Sequence, residues 1–379
     1  MFTVSFLFFA STKSVLSVRF MTEANIGPVE VIRQHPTVSF FVFAFLISWT
    51  GWLIAPTLIP LSAPFSSFIS QVGSFGPALS AIFVSSIVNP APSDASVNKR
   101  RIVFAIIFGV TIGCQLLATY AVGGQLTFQT FVFFALNSII AAYVVSSVYH
   151  PKIGVDRLME GLKRVSGSEV WIWAALLLPF LWQFLGAFVD LGLGGREWFS
   201  LTPATLLSLA AYYPFILFFG GGLNEEPGWR GFAVPRVQLR FSPLVAGLII
   251  GVIWSVWHFP LHVVSSFGGG LAGFPFRFVY NVPLGVLFSW LYNRSGGNVF
   301  ACVLLHASYN SASNLFGDNS ALISMVLMIA FTVTVAVYDR MYRKTTNCLN
   351  QKRPHQGTLP TAYTIRLPFD IAPRQRSLL

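Results

Sequence analysis

Runs of about twenty apolar residues recur along most of this chain, and a run of that length has few destinations other than a helix across a bilayer. Ten stretches qualify: Thr37–Leu58, Phe68–Val88, Ile102–Val122, Leu126–Val148, Val170–Val189, Pro203–Gly222, Pro243–Val264, Pro275–Leu291, Val299–Phe316 and Ala321–Tyr338. In lipid every backbone N–H and C=O must be satisfied inside the protein. The expected fold is therefore all-α, a polytopic transmembrane helix bundle of eight to ten spans. Charge usage agrees. Only 10% of the 379 residues are charged and 54% are hydrophobic, whereas a soluble domain carries about 25% charged residues. So few charges do not cover a water-facing surface.

The net charge is +11, but no nucleic-acid-binding motif accompanies it, so nucleic acid is not an expected partner. In a membrane protein Lys and Arg collect in cytoplasmic loops beside anionic head groups. Here Lys99, Arg100 and Arg101 follow the second stretch, and Lys152, Arg157, Lys163 and Arg164 follow the fourth. Arg230, Arg236 and Arg240 follow the sixth, Arg294 follows the eighth, and residues 339–379 form a basic tail. With an even number of spans all of these fall on one side, while Arg196 is the lone base of its loop on the other. This alternation predicts a multi-pass cell-membrane protein with both termini cytoplasmic. Residues 1–36 read as an N-terminal segment in which Met21 is the expected start. Residues 37–200 read as leading helices, 201–316 as the core that carries the chemistry, and 317–338 as a last span. Cys114, Cys302 and Cys348 are widely separated and fit neither a disulfide framework nor a zinc ribbon.

A charge inside a bilayer costs about 2.5–3.5 kcal/mol on insertion scales, so the places where the apolar core keeps ionisable groups are informative. From Leu201 to Phe316 the acidic residues are the adjacent pair Glu225 and Glu226, and the same stretch holds His258, His262 and His306. In Asn-Glu225-Glu226-Pro-Gly-Trp-Arg230, one helical turn separates Glu226 from Arg230, which favours an ion pair on one face. Glu225 is left over as a candidate general base. In Trp254-Ser-Val-Trp-His258-Phe-Pro260-Leu-His262, Trp254 and His258 share a face, and Pro260 is expected to loosen the helix. The spacing of His258 and His262 suits zinc on a helix, but the Glu of an HExxH motif is missing, which demotes His262. In His306-Ala-Ser-Tyr-Asn310 both polar side chains point the same way, and the Asn amide can donate to an oxyanion. The competing reading of His306, Asn310 and Asn314 is hydrogen-bonded glue between helices.

Taken in order, EExxxR, aromatic-xxx-H and HxxxN resemble the CPBP intramembrane protease family, which includes the type II CAAX prenyl endopeptidases and the bacterial Abi proteins. The resemblance covers about Leu201 to Phe316, with Trp254 standing where the family often has Phe. It implies an intramembrane endopeptidase acting on a membrane-associated peptide or protein, of prenylated CAAX type in part of the family. Glu225 would then activate water, His258 would hold that water or a metal, and His306 with Asn310 would hold a metal or the oxyanion. Glu226 with Arg230 would brace Glu225. The implied metal set is Glu225, His258 and His306 with Zn2+, and a metal-free route is equally compatible with the sequence. Because water has to reach Glu225, a catalytic cavity open to the cytoplasmic side is expected. The rival classes are a non-catalytic membrane protein that binds a peptide or bacteriocin in an immunity role, and a proton-coupled transporter.

Overall fold

The computed structural model describes residues 27–344 apart from residue 166 and segments 195–201, 266–268 and 317–320. The expected start at Met21, Arg196 and most of the basic tail lie outside the described residues. The chain opens with α1 (Pro28–Gln34) and α2 (Pro36–Ile54), followed by α3 (Ala63–Ser74) and α4 (Gly76–Val88). Next come the hairpin α5 (Val97–Ala121) and α6 (Phe128–Ser146), the short α7 (Ile153–Lys163), and α8 (Glu169–Gly192). Then follow α9 (Pro203–Phe219), α10 (Gly222–Glu226), a π-helical turn at Pro227–Ala233, and α11 (Val234–Gln238). The last elements are α12 (Pro243–Trp257), α13 (Phe259–Val263), α14 (Gly270–Arg294), α15 (Val299–Phe316) and α16 (Ala321–Tyr338). No strand occurs among the described residues, and the protein is an all-α, multi-pass membrane bundle.

Eight helical segments among the described residues are long and apolar enough to cross a membrane. The differences from the ten expected stretches have local causes. The second stretch is broken between α3 and α4 by a bend of 51°. Pro77 has no N–H to offer the Gly73 carbonyl one turn back, and Ser48 Oγ donates to that carbonyl instead at 2.7 Å. A Cβ at Gly76 would fall on the Ser48 side chain, so α2 packs this closely only against glycine. The ninth stretch forms the expected helix α15, but its His306, Asn310 and Asn314 make it too polar to qualify as a span on its own, and neighbours bury most of it. The sixth runs on past Gly222, so that the candidate span extends from Thr205 to Gln238. The eighth is longer than expected, because Pro275 and Pro283 are absorbed within α14. As Pro260 foretold, the seventh divides, with α12 ending at Trp257 and α13 starting at Phe259.

The bundle has two chemically different ends. At one, Arg33 Nε donates to Ile87 O at 3.3 Å and the Ile153 N–H to Ala91 O at 2.8 Å. Arg164 Nη1 donates to Gly296 O at 2.8 Å, and Asn298 Nδ2 donates to the Arg164 carbonyl. Arg294 pairs with Asp339 at 2.6 Å, and the Leu244 N–H reaches Met341 O at 3.0 Å. These ties gather the basic connections around residues 99, 152–164, 236–240, 294 and 340–343 at a single end. The connections at the other end, residues 55–62, 122–127 and 263–270, contain no charged residue.

Candidate active site

The site begins with a break in a helix inside the membrane. Gly220 and Gly221 separate α9 from α10, and Gly221 has φ +118°, a conformation that favours glycine. The backbone groups freed there are taken up one by one. Gln71 Nε2 donates to Phe219 O at 2.9 Å and Asn310 Nδ2 donates to Gly220 O at 2.7 Å. The Gly221 N–H donates to Asn224 Oδ1 at 2.7 Å, and Asn224 Nδ2 donates to Ser74 O at 3.1 Å. Irregular backbone at this depth is tolerated only with such partners. The break aims α10 so that Glu225 faces inward, and a Cβ at Gly221 would fall on the His306 ring.

Glu225 is buried, and its Oε2 accepts two indole N–H groups, from Trp254 at 2.7 Å and from Trp229 at 3.2 Å. Trp254 is the hub of the site. Its ring centroid lies 5.7 Å from that of His258 and 5.4 Å from that of His306, and the Arg230 guanidinium sits 4.9 Å from its ring centre. His258 ends α12. Its N–H has turned to Ser255 O at 3.2 Å, so the Trp254 carbonyl is open to the His258 ring, whose Nδ1–H donates to it at 2.7 Å. That bond fixes the tautomer and makes Nε2 the lone-pair nitrogen of the neutral ring.

His306 is positioned from behind. Glu226 Oε1 accepts from His306 Nδ1 at 2.7 Å and from Arg230 Nη1 at 2.8 Å. Glu226 and Arg230 are both 0% exposed, and Arg230 also lies 3.8 Å from the centre of the Phe288 ring. The ion pair expected between Glu226 and Arg230 forms, but the residue it braces is His306. Glu225 is braced by the two indoles instead. Spacing along one helix could reveal the pair; the partner on α15, 80 residues away, could not be read that way.

Glu225, His258, His306 and Asn310 all line one cavity of about 750 Å³. Glu226 and Arg230 lie behind its wall. His262 binds Gly270 O through Nδ1 at 2.8 Å, joining α13 to α14. Asn314 lines the cavity rather than only joining helices. Sequence reasoning missed Arg277, Tyr280 and Asn281, which line it from α14. A signal for the first existed, since Arg277 is a charged residue within an apolar span. Among the described residues no three His, Cys, Asp or Glu side chains converge as a metal-ligand set. His306 commits Nδ1 to Glu226, and Glu225 Oε2 is held by indoles. Carboxylate backing of His306 Nδ1 is compatible with a metal at Nε2, but Glu225, His258 and His306 do not converge as a ligand set among the described residues, and the water-activation steps use no metal.

The cavity lies away from the basic end. The lining comes from Trp52 near the end of α2, Leu261 in α13, Asn281 in the first half of α14, Asn314 late in α15, and Ala321 at the start of α16. On each of these segments the basic connection is at the opposite terminus. The basic connections and these lining residues thus lie toward different termini of the same segments.

Comparison with known proteins bears on the same segment. The sequence pattern of the type II CAAX prenyl endopeptidase Rce1-like family matches residues 205–312. Over that segment, which is less than a third of the chain, the sequence is similar to this family. All six residues of the three motifs fall inside the Rce1-like segment, together with the α9–α10 break and Trp254. A CAAX prenyl protease 2 from Methanococcus maripaludis is 26% identical over 125 residues. The aligned part is 31% of this chain and 46% of that relative, so the chain spans less than half the length of the curated protein it matches.

Proposed function

We propose that this chain is an intramembrane endopeptidase that hydrolyses a peptide bond of a membrane-associated protein with water activated by Glu225. The observation that carries the reading is the meeting of one carboxylate and two imidazoles from three separate helical segments around a single cavity inside a membrane bundle. The likeness to a CAAX prenyl protease supports the same reaction, and a prenylated CAAX-type chain is the proposed substrate class.

In this mechanism the two indole donors orient Glu225 so that its other oxygen addresses a water. Glu225 takes a proton from that water as the oxygen attacks the scissile carbonyl. The negative charge that develops on the carbonyl oxygen is met by donors at the wall. One Asn310 Nδ2–H is committed to Gly220 O, and the second is available to the oxyanion. His258 Nε2, as a lone-pair nitrogen, orients the water. Glu225 then returns the proton to the departing amine, so that one water is consumed and an acid and an amine are released. Preorganisation by Trp254 and by the Glu226–Arg230 pair keeps the groups from reorienting during the reaction.

The test is product release from membranes carrying the wild type or Glu225→Gln, His258→Ala or His306→Ala, read by mass spectrometry. Peptides that appear with the wild type and vanish in all three variants are expected. Full cleavage by any variant that inserts normally would overturn the reading, and a bound but uncut peptide would favour the immunity-type alternative.

A further inference from the structure

The mechanism above gives no task to one charged side chain of the cavity. Among the described lining residues Glu225 is the one carboxylate and Arg277 the one Lys or Arg. We propose that Arg277, with Asn281 one turn further along α14, binds the free C-terminal carboxylate of the substrate chain, so that the enzyme selects peptide bonds a short way from a chain end. This specificity role rests on the endopeptidase reading above.

Packing of α14 against α12 places the pair. A Cβ at Gly247 would come within 2.7 Å of Val286 Cα, and one at Gly251 within 2.7 Å of Val282 Cα, so the two helices touch backbone to backbone. Further along, the Phe259 and Phe274 rings lie 5.0 Å apart. These contacts run antiparallel and set Arg277 level with the stretch that carries Trp254 and His258. Arg277 and Asn281 are four apart, so they share the face that borders the cavity. The Arg277 guanidinium sits 5.1 Å from the centre of the Tyr280 ring, a contact that restricts its direction. Asn281 is 1% exposed, and its Nδ2 has no hydrogen-bond partner among the described residues. A buried donor of that kind calls for a partner, and a turn of the amide about its broad last torsion presents it to an anion beside Arg277. A cation within an apolar span is a functional group by default. The planar guanidinium matches a carboxylate through two parallel, charge-assisted bonds. In a CAAX-type chain the last residue lies three positions beyond the Cys. Its carboxylate therefore stays within about 11 Å of that Cys even when fully extended, a reach comparable with the width of a cavity of about 750 Å³.

The experiment compares two synthetic farnesylated peptides ending Cys-Val-Leu-Ser, one with a free carboxylate and one amidated. They are offered to full-length protein in nanodiscs of phosphatidylcholine, whose zwitterionic head groups supply no competing net anion. The wild type should cleave the acid with a kcat/KM about tenfold to a hundredfold above that for the amide, the loss that goes with hydrogen bonds to a charged group. Arg277→Gln should cleave the acid as slowly as the wild type cleaves the amide, and should lose nothing further on the amide. Arg277→Lys, which keeps the charge without the fork, should recover part of the preference. Asn281→Ala should narrow it severalfold; an unchanged preference there would remove Asn281 from the anchor. An Arg277 that only balances Glu225 or supports the fold would lower both peptides alike when replaced, and that result would overturn the proposal. The wild-type comparison needs no variant to fold, and equal rates on acid and amide would overturn it as well while leaving the endopeptidase reading intact. Binding of both peptides to Glu225→Gln is measured in parallel. Tighter binding of the acid, abolished by adding Arg277→Gln, together with no cleavage by the wild type would sink the endopeptidase reading and leave the anchor standing. Neither binding nor cleavage of either peptide would overturn both.

Discussion

The α5–α6 hairpin and the junction of α10, α12 and α15 both bury polar side chains between membrane helices, yet they use them for opposite ends. In the hairpin, Gln115 Nε2 donates to Phe134 O at 3.1 Å and to Ser138 Oγ at 3.0 Å, and Asn137 Nδ2 donates to Gln115 Oε1 at 3.3 Å. Amides and hydroxyls consume one another there, and none of these residues lines the cavity. At the junction the groups are a carboxylate and two imidazoles, each held by one face while the side chain borders the cavity. Burial of polar atoms in a bilayer is thus not in itself a sign of chemistry. What separates a site from glue is ionisable groups, anchored on one side and wet on the other.

The most direct way to break this contrast is at Glu225. Replacing it with Gln keeps the shape and removes the base. General acid–base groups contribute about 10²–10⁴ in rate, so initial rates of product formation should fall by that factor while the amount of inserted protein stays the same. A Glu225→Gln protein that retains most of its rate would place Glu225 among the glue.

A second test separates the wall from what stands behind it. Arg230→Met removes one member of the buried Glu226–Arg230 pair and strands the other. Losing one partner of such a pair destabilises by about 3–5 kcal/mol, which should appear as a lowered thermal midpoint in mild detergent. It also unties His306, so cleavage should fall with Glu225 untouched. Glu226→Gln, which still offers His306 Nδ1 an acceptor, should recover part of the rate relative to Glu226→Leu; equal loss in both would mean that the pair serves stability alone.

Trp254→Phe sharpens the contrast further, because it keeps the aromatic wall and deletes a single donor to Glu225. A hydrogen bond to a charged group is worth about 1.5–3 kcal/mol. The rate of the chemical step should fall by about tenfold to a hundredfold, since 1.4 kcal/mol is one factor of ten. An unchanged rate would show that the Trp229 indole suffices to orient the carboxylate.

Much of this site was legible because its motifs are local. Residues four apart on a helix share a face, and this alone foretold the Glu226–Arg230 pair and the common facing of His306 and Asn310. The break at Pro260 followed from a missing N–H. What could not be read is what joins distant segments. Trp254 reaches Glu225 across 29 residues, and Asn310 reaches Gly220 across 90. Neither distance is set by any period. The role of Trp254 looked like that of a wall because its ring was visible in the sequence and the direction of its N–H was not. Arg277 stood out by charge, but whether it faces the cavity depends on the rotation of α14, a long helix with two internal prolines.

The smallest expected effect belongs to the hairpin. Gln115→Leu removes hydrogen bonds to Phe134 and Ser138 and leaves the Asn137 amide without that partner. In membranes such bonds average about 0.6 kcal/mol, because the separated helices find other partners. The leucine also fits an apolar helix interface of similar volume. The thermal midpoint in detergent should therefore move only slightly, and product formation should match the wild type. Since none of the three hairpin residues borders the cavity, a drop in cleavage at constant stability has no route through packing. Observed, it would mean that α5 and α6 are coupled to the position of Glu225, through α9, against which α5 packs, and that the separation between glue and site drawn above is too sharp.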